Sequence, residues 1–377
     1  MTNSYVKLGD LATYINGYAF KPKDRGDKGL PIIRIQDLTG NTYDKGFYDG
    51  KYPSKIEINN GDVLISWSAS LGVYLWNGGK ALLNQHIFKV IFDKKEIDKD
   101  YFIYAVRFSL KRLHQLTHGA TMKHIVKKDF DNVVIPYPSI KKQKEIAFNL
   151  DKIESIIKTR QQEIRMLDTL IKARFVEMFG DPVLNPNNYE LIKLSDLGAL
   201  NRGKSKHRPR NDPKLLGGPY PLIQTGDITN SDIFIRKYNS TYSKFGLEQS
   251  KMWPEGTFCI TIAANIAQTA ILSFNACFPD SVVGFIPNSD RITTIYLHYW
   301  FSFYQKILDT QASQVAQKNI NLKVLSNLDI AVPPKAEQDN FLSFVQQVDK
   351  SKFENIVYLN KTLSMKILGQ LGDVFRD

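Results

Sequence analysis

Between Gly198 and Ser205 the chain reads GALNRGKS, which satisfies letter for letter the glycine-rich phosphate loop G-x-x-x-x-G-K-[ST] of nucleotide-hydrolysing enzymes, with Lys204 as its lysine. That chemistry needs a buried strand ahead of the loop and a helix behind it, so that backbone N–H groups and the helix N-terminus converge on phosphates. The residues that follow, KHRPRNDPK, put Pro209 and Pro213 where the helix would have to run, and glycines come soon after. His114 and His118 in HQLTH stand four residues apart with His124 nearby, a spacing that suits zinc, but the glutamate of the metalloprotease motif is missing. NPNNY (185–189) has the outline of an adenine-methyltransferase motif without its second proline, and DKK (93–95) is the tail of a nuclease motif without a partner carboxylate. Cys259 and Cys277 share no metal spacing and read as buried free thiols. Neither a Ser/His/Asp nor a Cys/His grouping recurs, so the expectation is no catalytic residue and no metal site in this chain.

Charge points elsewhere. Of 377 residues, 50 are Lys or Arg and 38 Asp or Glu, a formal net charge of +12 that favours a polyanionic partner, nucleic acid before an anionic membrane surface. No apolar run reaches the roughly 18 residues of a membrane span, and the start MTNSYVKLGDLATY has neither a cationic leader nor an apolar stretch behind it. A cytoplasmic protein without membrane contact is expected.

The elements that must position any site are written twice. VKLGDL (6–11) returns as IKLSDL (192–197); Pro31, Ile33 and Asp37 return as Pro221, Ile223 and Asp227 at an offset of 190. The offset then settles at 195: Gly61 with Gly256, Tyr101 with Tyr296, Lys123 with Lys318, Ile125 with Ile320, Pro138 with Pro333, Gln143 with Gln338. MFGD ending at Asp181 becomes VFRD ending at Asp377. The repeat also tests the phosphate loop, because Gly198, Gly203 and Lys204 align with Ala12, Gly17 and Tyr18, and only the turn glycine recurs.

Each copy opens with short β-rich runs such as DVLISWS, HIFKVIF, GTFCITIA and SVVGFIP, carries one helical stretch (KDYFIYAVRFSLKRLHQL, TIYLHYWFSFYQKIL), and closes on proline in NVVIPYP or NLDIAVPP. A long helical run follows. In the first copy Ile146, Leu150, Ile153, Ile157, Ile164, Leu167, Ile171 and Met178 fall on heptad core positions, broken by Arg160 and Arg174. About 40 residues make such a helix near 60 Å long. In the second copy Phe341, Val345 and Val348 keep the seam, which is expected to resume one residue later through Phe353, Ile356, Leu363, Ile367 and Val374. A helix this long has no obvious domain of its own to bury its stripe, so pairing of the two long helices is expected. The fold class is α+β: two tandem β-rich domains separated by two long antiparallel, coiled-coil-like helices, like a calliper.

Arg202, Lys204, Lys206, Arg208 and Arg210, with His207, crowd nine residues without a compensating acid in that stretch, and the first copy offers Lys21, Lys23 and Arg25 at the matching place. Paired basic loops suit phosphate backbones, where each neutralised phosphate releases counterions. Lys123 and Lys318 are further candidates for DNA contact; Arg34, Gln36, Gln224, Asn265 and Gln268 have the chemistry to reach base edges.

Taken together, the KLGDL and KLSDL openings, GATMKHI…DFDNVVIPYPSIKKQKEI and AQKNINLKVLSNLDIAVPPKAEQDNF resemble the DNA-specificity subunits of type I restriction-modification enzymes. The resemblance covers essentially the whole chain, and the Pro138 to Gln143 and Pro333 to Gln338 step is that family's way of starting its long helix. It implies target-recognition domains at 1–138 and 186–333, a central helical spacer at 139–181 and a C-terminal spacer at 334–377 paired with it. Each domain would read half of a split, asymmetric double-stranded DNA site, and the spacers would set the gap. It further implies two methyltransferase subunits carrying S-adenosylmethionine and adenine chemistry, and restriction subunits carrying ATP, Mg2+ and DNA cleavage. No cofactor is expected in this chain itself. A specificity subunit of an ATP-independent combined nuclease and methyltransferase would read alike.

Overall fold

The structure, a computed structural model, describes residues 4–42, 44–68, 71–116, 127–263, 266–288, 290–313 and 320–358. The chain divides into two compact units: Met1–Gln161 with Ile356–Asp377, and Gln162–Asn355.

In the first unit a four-stranded antiparallel sheet runs in the spatial order Thr13–Asn16, Ile87–Ile91, Val63–Ser66, Gly72–Leu75. A second sheet runs Phe47–Tyr48, Leu30–Ile33, Ala81–Leu83, Glu57–Ile58, its two central strands parallel. The second unit repeats both. One sheet runs Gly198–Arg202, Val282–Pro287, Phe258–Thr261, Thr269–Leu272 and gains Phe234–Ile235 in parallel at its edge. The other runs Ser240–Tyr242, Leu216–Leu222, Ala276–Cys277, Met252–Trp253, again with a parallel contact at its centre. The repeat is therefore one of strand order as well as of letters.

Several recurring letters acquire a physical reason. The opening VKL pairs antiparallel with the closing VIP (Val6 opposite Ile135), and IKL pairs with DIAV (Ile192 opposite Ile330), so each unit is zipped at its own ends. Tyr101 and Tyr296 are buried, and their hydroxyls donate to the Pro136 carbonyl at 2.9 Å and the Ala331 carbonyl at 2.6 Å. Asp37 and Asp227 accept from the backbone N–H of Arg34 and Gln224, both at 2.8 Å, and so cap the short helices Ile35–Thr39 and Thr225–Thr229.

The helices Lys99–Leu116 and Thr294–Ser313 pack beneath the longer-stranded sheets, with Phe102, Ala105 and Val106 buried in the first unit and Leu297, Trp300 and Phe301 in the second. The long helix Ile140–Phe179 is continuous over 40 residues, and its second-copy counterpart is described over Lys335–Val357. One expectation is corrected here. The first turns of each long helix do have a domain to bury them: Ile146, Leu150 and Ile153 pack in one core with Tyr101, Phe102 and Ile135, and their repeat equivalents Phe341, Val345 and Val348 pack in another with Tyr296, Trp300 and Ile330. Within the second unit the later turns of the first long helix join that core through Ile171, Phe175 and Phe179, with Leu167 and Met178 partly buried against it. The Phe341 ring meets those of Phe175 and Phe179, each at 5.5 Å between centroids, while Lys352 meets Asp168, so the two helix segments run antiparallel there. Ile157 is half-buried beside Tyr358 in the first unit, and Ile164 is half-buried in the second.

Among the described residues, which end at 358, the seam of the second helix does not slip as the sequence suggested. Phe353 and Ile356 are 52% and 39% exposed, and the position in the seam belongs to Lys352, which two carboxylates neutralise. Leu363, Ile367 and Val374 lie outside the described residues.

Candidate nucleic-acid interface

Gly198–Ser205 does not form a phosphate loop. Gly198–Arg202 is a strand paired with Val282–Pro287, preceded by a 3-10 turn at Leu194–Asp196, and the next helical residues are the single turn Pro213–Leu215. The Gly203 and Lys204 N–H groups, which would have to face a phosphate, instead donate to the Val282 and Phe278 carbonyls at 2.8 and 3.1 Å. The first unit does the same with the Gly17 and Tyr18 N–H groups, to Ile87 at 3.1 Å and Leu83 at 2.8 Å. Glycine recurs because the backbones touch: a Cβ on Gly17 would lie 2.0 Å from the Asn84 carbonyl oxygen, and one on Gly203 2.3 Å from that of Pro279.

What emerges from this strand end is a basic, exposed segment with an internal order. Arg202, Lys204, Lys206, Arg208 and Arg210 are all exposed. Residues 202–210 hold no acid, yet the fold brings one from 70 residues away: Asp280 receives Arg210 at 2.5 Å and Arg208 at 3.5 Å through its carboxylate, and the Arg202 Nε at 3.1 Å through its carbonyl. Arg208 also donates to the Ser205 and His207 carbonyls. His207 lies 2.9 Å from Asp212, whose carboxyl is held below its usual range by the Lys214 backbone N–H and then by that imidazole. Three arginines are thus fixed in direction, whereas Lys204 and Lys206 have no side-chain partner among the described residues. Held arginines suit geometric readout, and free ammonium groups suit a phosphate chain.

The candidate reader Gln224 comes to the same place by a different strand. Ile223 donates its N–H to the Cys277 carbonyl at 2.8 Å and Lys204 to that of the next residue, Phe278, so Gln224 and the basic segment flank one two-residue stretch. In the first unit Ile33 accepts from the Asn84 N–H at 3.0 Å while Tyr18 bonds Leu83 and Gln85, which places Arg34 beside Tyr18 in the equivalent relation. Tyr18 is exposed and stacks edge-on to Phe20 at 5.0 Å. Arg34 is less free than its sequence suggests, since its guanidinium pairs with Asp37 at 3.4 Å and donates to the Asp44 carbonyl. Gln36 is half-buried two residues further on, in the first turn of Ile35–Thr39. Lys21, Lys23 and Arg25 are exposed, on a segment tied down by the Lys21 N–H to Asp24 at 2.7 Å and by the Gly26 N–H to the Phe47 carbonyl at 2.9 Å. Gln268 lies on the turn between Phe258–Thr261 and Thr269–Leu272, its N–H bonded to Thr261 Oγ1 at 3.0 Å.

Lys123, Asn265 and Lys318, and with them His118 and His124, lie outside the described residues. Asp280 and Asp212 escaped sequence reading because their partners are remote or belong to another turn; the only available signal was that an unbroken cationic run needs a counter-charge somewhere. The other motifs resolve into structure. Asp93 accepts from Thr13 and Lys94 donates to the Gly9 carbonyl, while Asn185 bonds both the N–H and the carbonyl of Tyr189 to close a turn. Cys259 and Cys277 are buried and free, each thiol pushed up by burial. Among the described residues no group of three or more His, Cys, Asp or Glu could hold a metal, and no helix is long and apolar enough to cross a membrane.

Comparison with known proteins agrees with this reading. The sequence model of the family described as "Type I restriction modification DNA specificity domain" matches residues 2–166 and again 186–364, one match per copy. The chain is 24% identical over 375 residues to the type I restriction enzyme EcoBI specificity subunit of Escherichia coli, covering 91% of this chain and 78% of that protein. It is 26% identical over 374 residues to the MjaVIII specificity subunit of Methanocaldococcus jannaschii, covering 91% and 85%. Among solved structures, a chain from a study of complex assembly and conformational transition of the type I R-M system superposes with a TM-score of 0.60 at 16% identity, over 99% of this chain and 97% of that one. The S subunit of a type I system from M. genitalium superposes with a TM-score of 0.57 at 14% identity, over 100% and 96%.

Proposed function

The chain belongs to the type I restriction modification DNA specificity family, and from that membership we propose how its two units read DNA. Each unit takes one half of a bipartite, asymmetric double-stranded site, and the two long helices, paired antiparallel as a spacer, set the gap between the halves. The observation that carries this reading is the doubled topology: the same strand order, the same glycine crossing at Gly17 and Gly203, and a different residue, Arg34 or Gln224, at the same capping position. A repeated frame with unlike side chains at its rim is what an asymmetric two-part target requires. In the second unit Arg208 and Arg210 are aimed by Asp280 toward base edges or the backbone beside them, and Lys204 and Lys206 neutralise phosphates.

The chain does no chemistry of its own. Two methyltransferase subunits would bring S-adenosylmethionine to adenine, and restriction subunits would bring ATP, Mg2+ and cleavage, all in the cytoplasm. Gentle purification of the tagged chain from its own cells, followed by selection from random duplexes with the co-purifying subunits present, tests this. Two adenine methyltransferase copies per chain and a split motif are expected. A chain that purifies alone, or a complex that selects no split motif, would overturn the reading.

A further inference from the structure

The second long helix carries a lysine where its apolar seam calls for a hydrophobe. From Phe341, Val345 and Val348, steps of four and three residues lead to position 352, and the repeat equivalent 195 residues earlier is Ile157. Lys352 is nonetheless only 2% exposed. Its ammonium donates to Asp168 on the first long helix at 2.5 Å and to Asp232, which precedes the edge strand Phe234–Ile235 of the second unit's sheet. Burial opposes the lysine's charge, but the two carboxylates outweigh it and hold the group above the ordinary lysine range. A second pair reinforces the first with reversed polarity: Arg236 reaches Asp349 at 2.5 Å, one helical turn before Lys352, and its guanidinium lies 6.0 Å from the Phe353 ring centre.

The consequence is a lock with one solution. Apolar contacts, such as those of Phe341 with Phe175 and Phe179, are non-directional and by themselves do not single out one register, whereas a single charged core position specifies register at some cost in stability. A slip of seven residues would set Lys352 against Gln161 or Phe175 in place of Asp168, leaving a buried ammonium without its carboxylate. Asp168 and Asp232 keep 45% and 47% of their side-chain surface in water, so the acids are stable without the lysine but the lysine is not stable without the acids.

We propose that Lys352 is a positioning residue, whose bridges to Asp168 and Asp232 fix one register between the long helices and one seating of that pair on the second recognition unit, so that the DNA gap has a single value. The part concerning DNA rests on the reading that the paired helices set the gap; the register itself does not.

The test uses the full chain in its complex with methyltransferase subunits and the variant Lys352→Met, of similar length and without charge. Nitroxide labels on Thr169→Cys and Lys350→Cys, both exposed positions in the second unit, report the helix register; the native cysteines are buried. With Lys352 present one narrow distance distribution is expected. In Lys352→Met a second population appears, displaced by about 5 to 10 Å, one turn or one heptad, and selected duplexes spread over neighbouring gaps with discrimination reduced about tenfold. The triple variant Lys352→Glu, Asp168→Lys, Asp232→Lys restores the single distance. An unchanged single distance in Lys352→Met overturns the proposal, as does lowered thermal stability with no second population, which marks a merely structural pair. A split distance with an unchanged gap upholds the register lock and refutes the role of the helices in setting the gap.

Discussion

Gln143 and Gln338 are repeat equivalents that make the same bridge at the base of the two long helices. The Nε2 of each donates to the carbonyl of the proline five residues earlier, Pro138 at 2.8 Å and Pro333 at 2.9 Å, while each Oε1 accepts a backbone N–H, from Asp98 and Thr293 respectively, both at 2.9 Å. Both side chains are fully buried. Asp98 and Thr293 lie just ahead of the helices Lys99–Leu116 and Thr294–Ser313, so one amide ties the closing strand, the packed helix and the long helix together.

Replacing either glutamine by leucine keeps the volume but strands a buried N–H and at least one carbonyl. At about 1 to 3 kcal/mol per unpaired buried group, each variant is expected to lose roughly 2 to 4 kcal/mol. For units of this size that lowers the melting temperature by about 5 to 15 °C. Calorimetry of the two variants checks it, and a melting temperature within about 1 °C of the parent would contradict the bridge.

Gly203 separates the two readings of GALNRGKS. Gly203→Ala brings a Cβ to 2.3 Å from the Pro279 carbonyl oxygen, so the strand crossing must open; a loss of about 2 kcal/mol or more is expected from such overpacking against backbone. The isolated parent chain should show no ATP binding by calorimetric titration. Measurable ATP affinity abolished by Lys204→Ala would reinstate the phosphate-loop reading.

The repeat made much of the fold legible: KLGDL against NVVIP, Tyr101 with Tyr296 and the proline-to-glutamine step all mark places where each unit is zipped or bridged. Patterns of that kind are local or recur at fixed offset, and so survive in one dimension. Asp280 does not, because it meets Arg202 and Arg210 only after two strands have paired. The seam at Lys352 misled for another reason. A heptad pattern admits hydrophobes and rejects charges and so points past the lysine to Phe353, whereas Asp168 and Asp232 make the charge tolerable in the core. Phe175 and Phe179 are hidden similarly, one residue off the heptad positions, though both are buried against Phe341.

Lys204 and Lys206 are exposed and without side-chain partners among the described residues, which makes them countable in a salt titration. Each alanine substitution should reduce the slope of log affinity against log salt by about 0.9 and weaken binding alike on cognate and unrelated duplexes. Fluorescence anisotropy of the methyltransferase complex across salt concentrations checks it; a loss confined to the cognate duplex would assign the lysines to base reading instead.

His298 gives the second unit a pH dependence of defined sign. Burial lowers its pKa to about 4, against an ordinary value near 6.5, while its Nδ1 lies 3.0 Å from Thr269 Oγ1. The unfolded chain therefore binds a proton that the folded chain refuses between these values. Stability from this group is complete above about pH 6.5, falls as the pH drops toward 4, and falls no further below that. His298→Gln should flatten this part of the stability profile in denaturant titrations, and an unchanged profile would place the histidine in contact with water.

Asp280 is the residue whose removal should separate affinity from specificity. Asp280→Asn deletes a negative charge beside three arginines, so affinity for unrelated DNA should rise, by up to severalfold at low salt. The same change frees Arg208 and Arg210 from their anchor. An arginine that selects a base by a two-point contact loses its discrimination when its plane is no longer held, on the order of 1 to 3 kcal/mol per contact. The ratio of cognate to unrelated binding should therefore fall about tenfold or more, with the loss confined to one half of the split site, the half read by the second unit. Competition binding against duplexes altered in either half measures this directly. An unchanged ratio on both halves would mean that the arginines contact only the backbone.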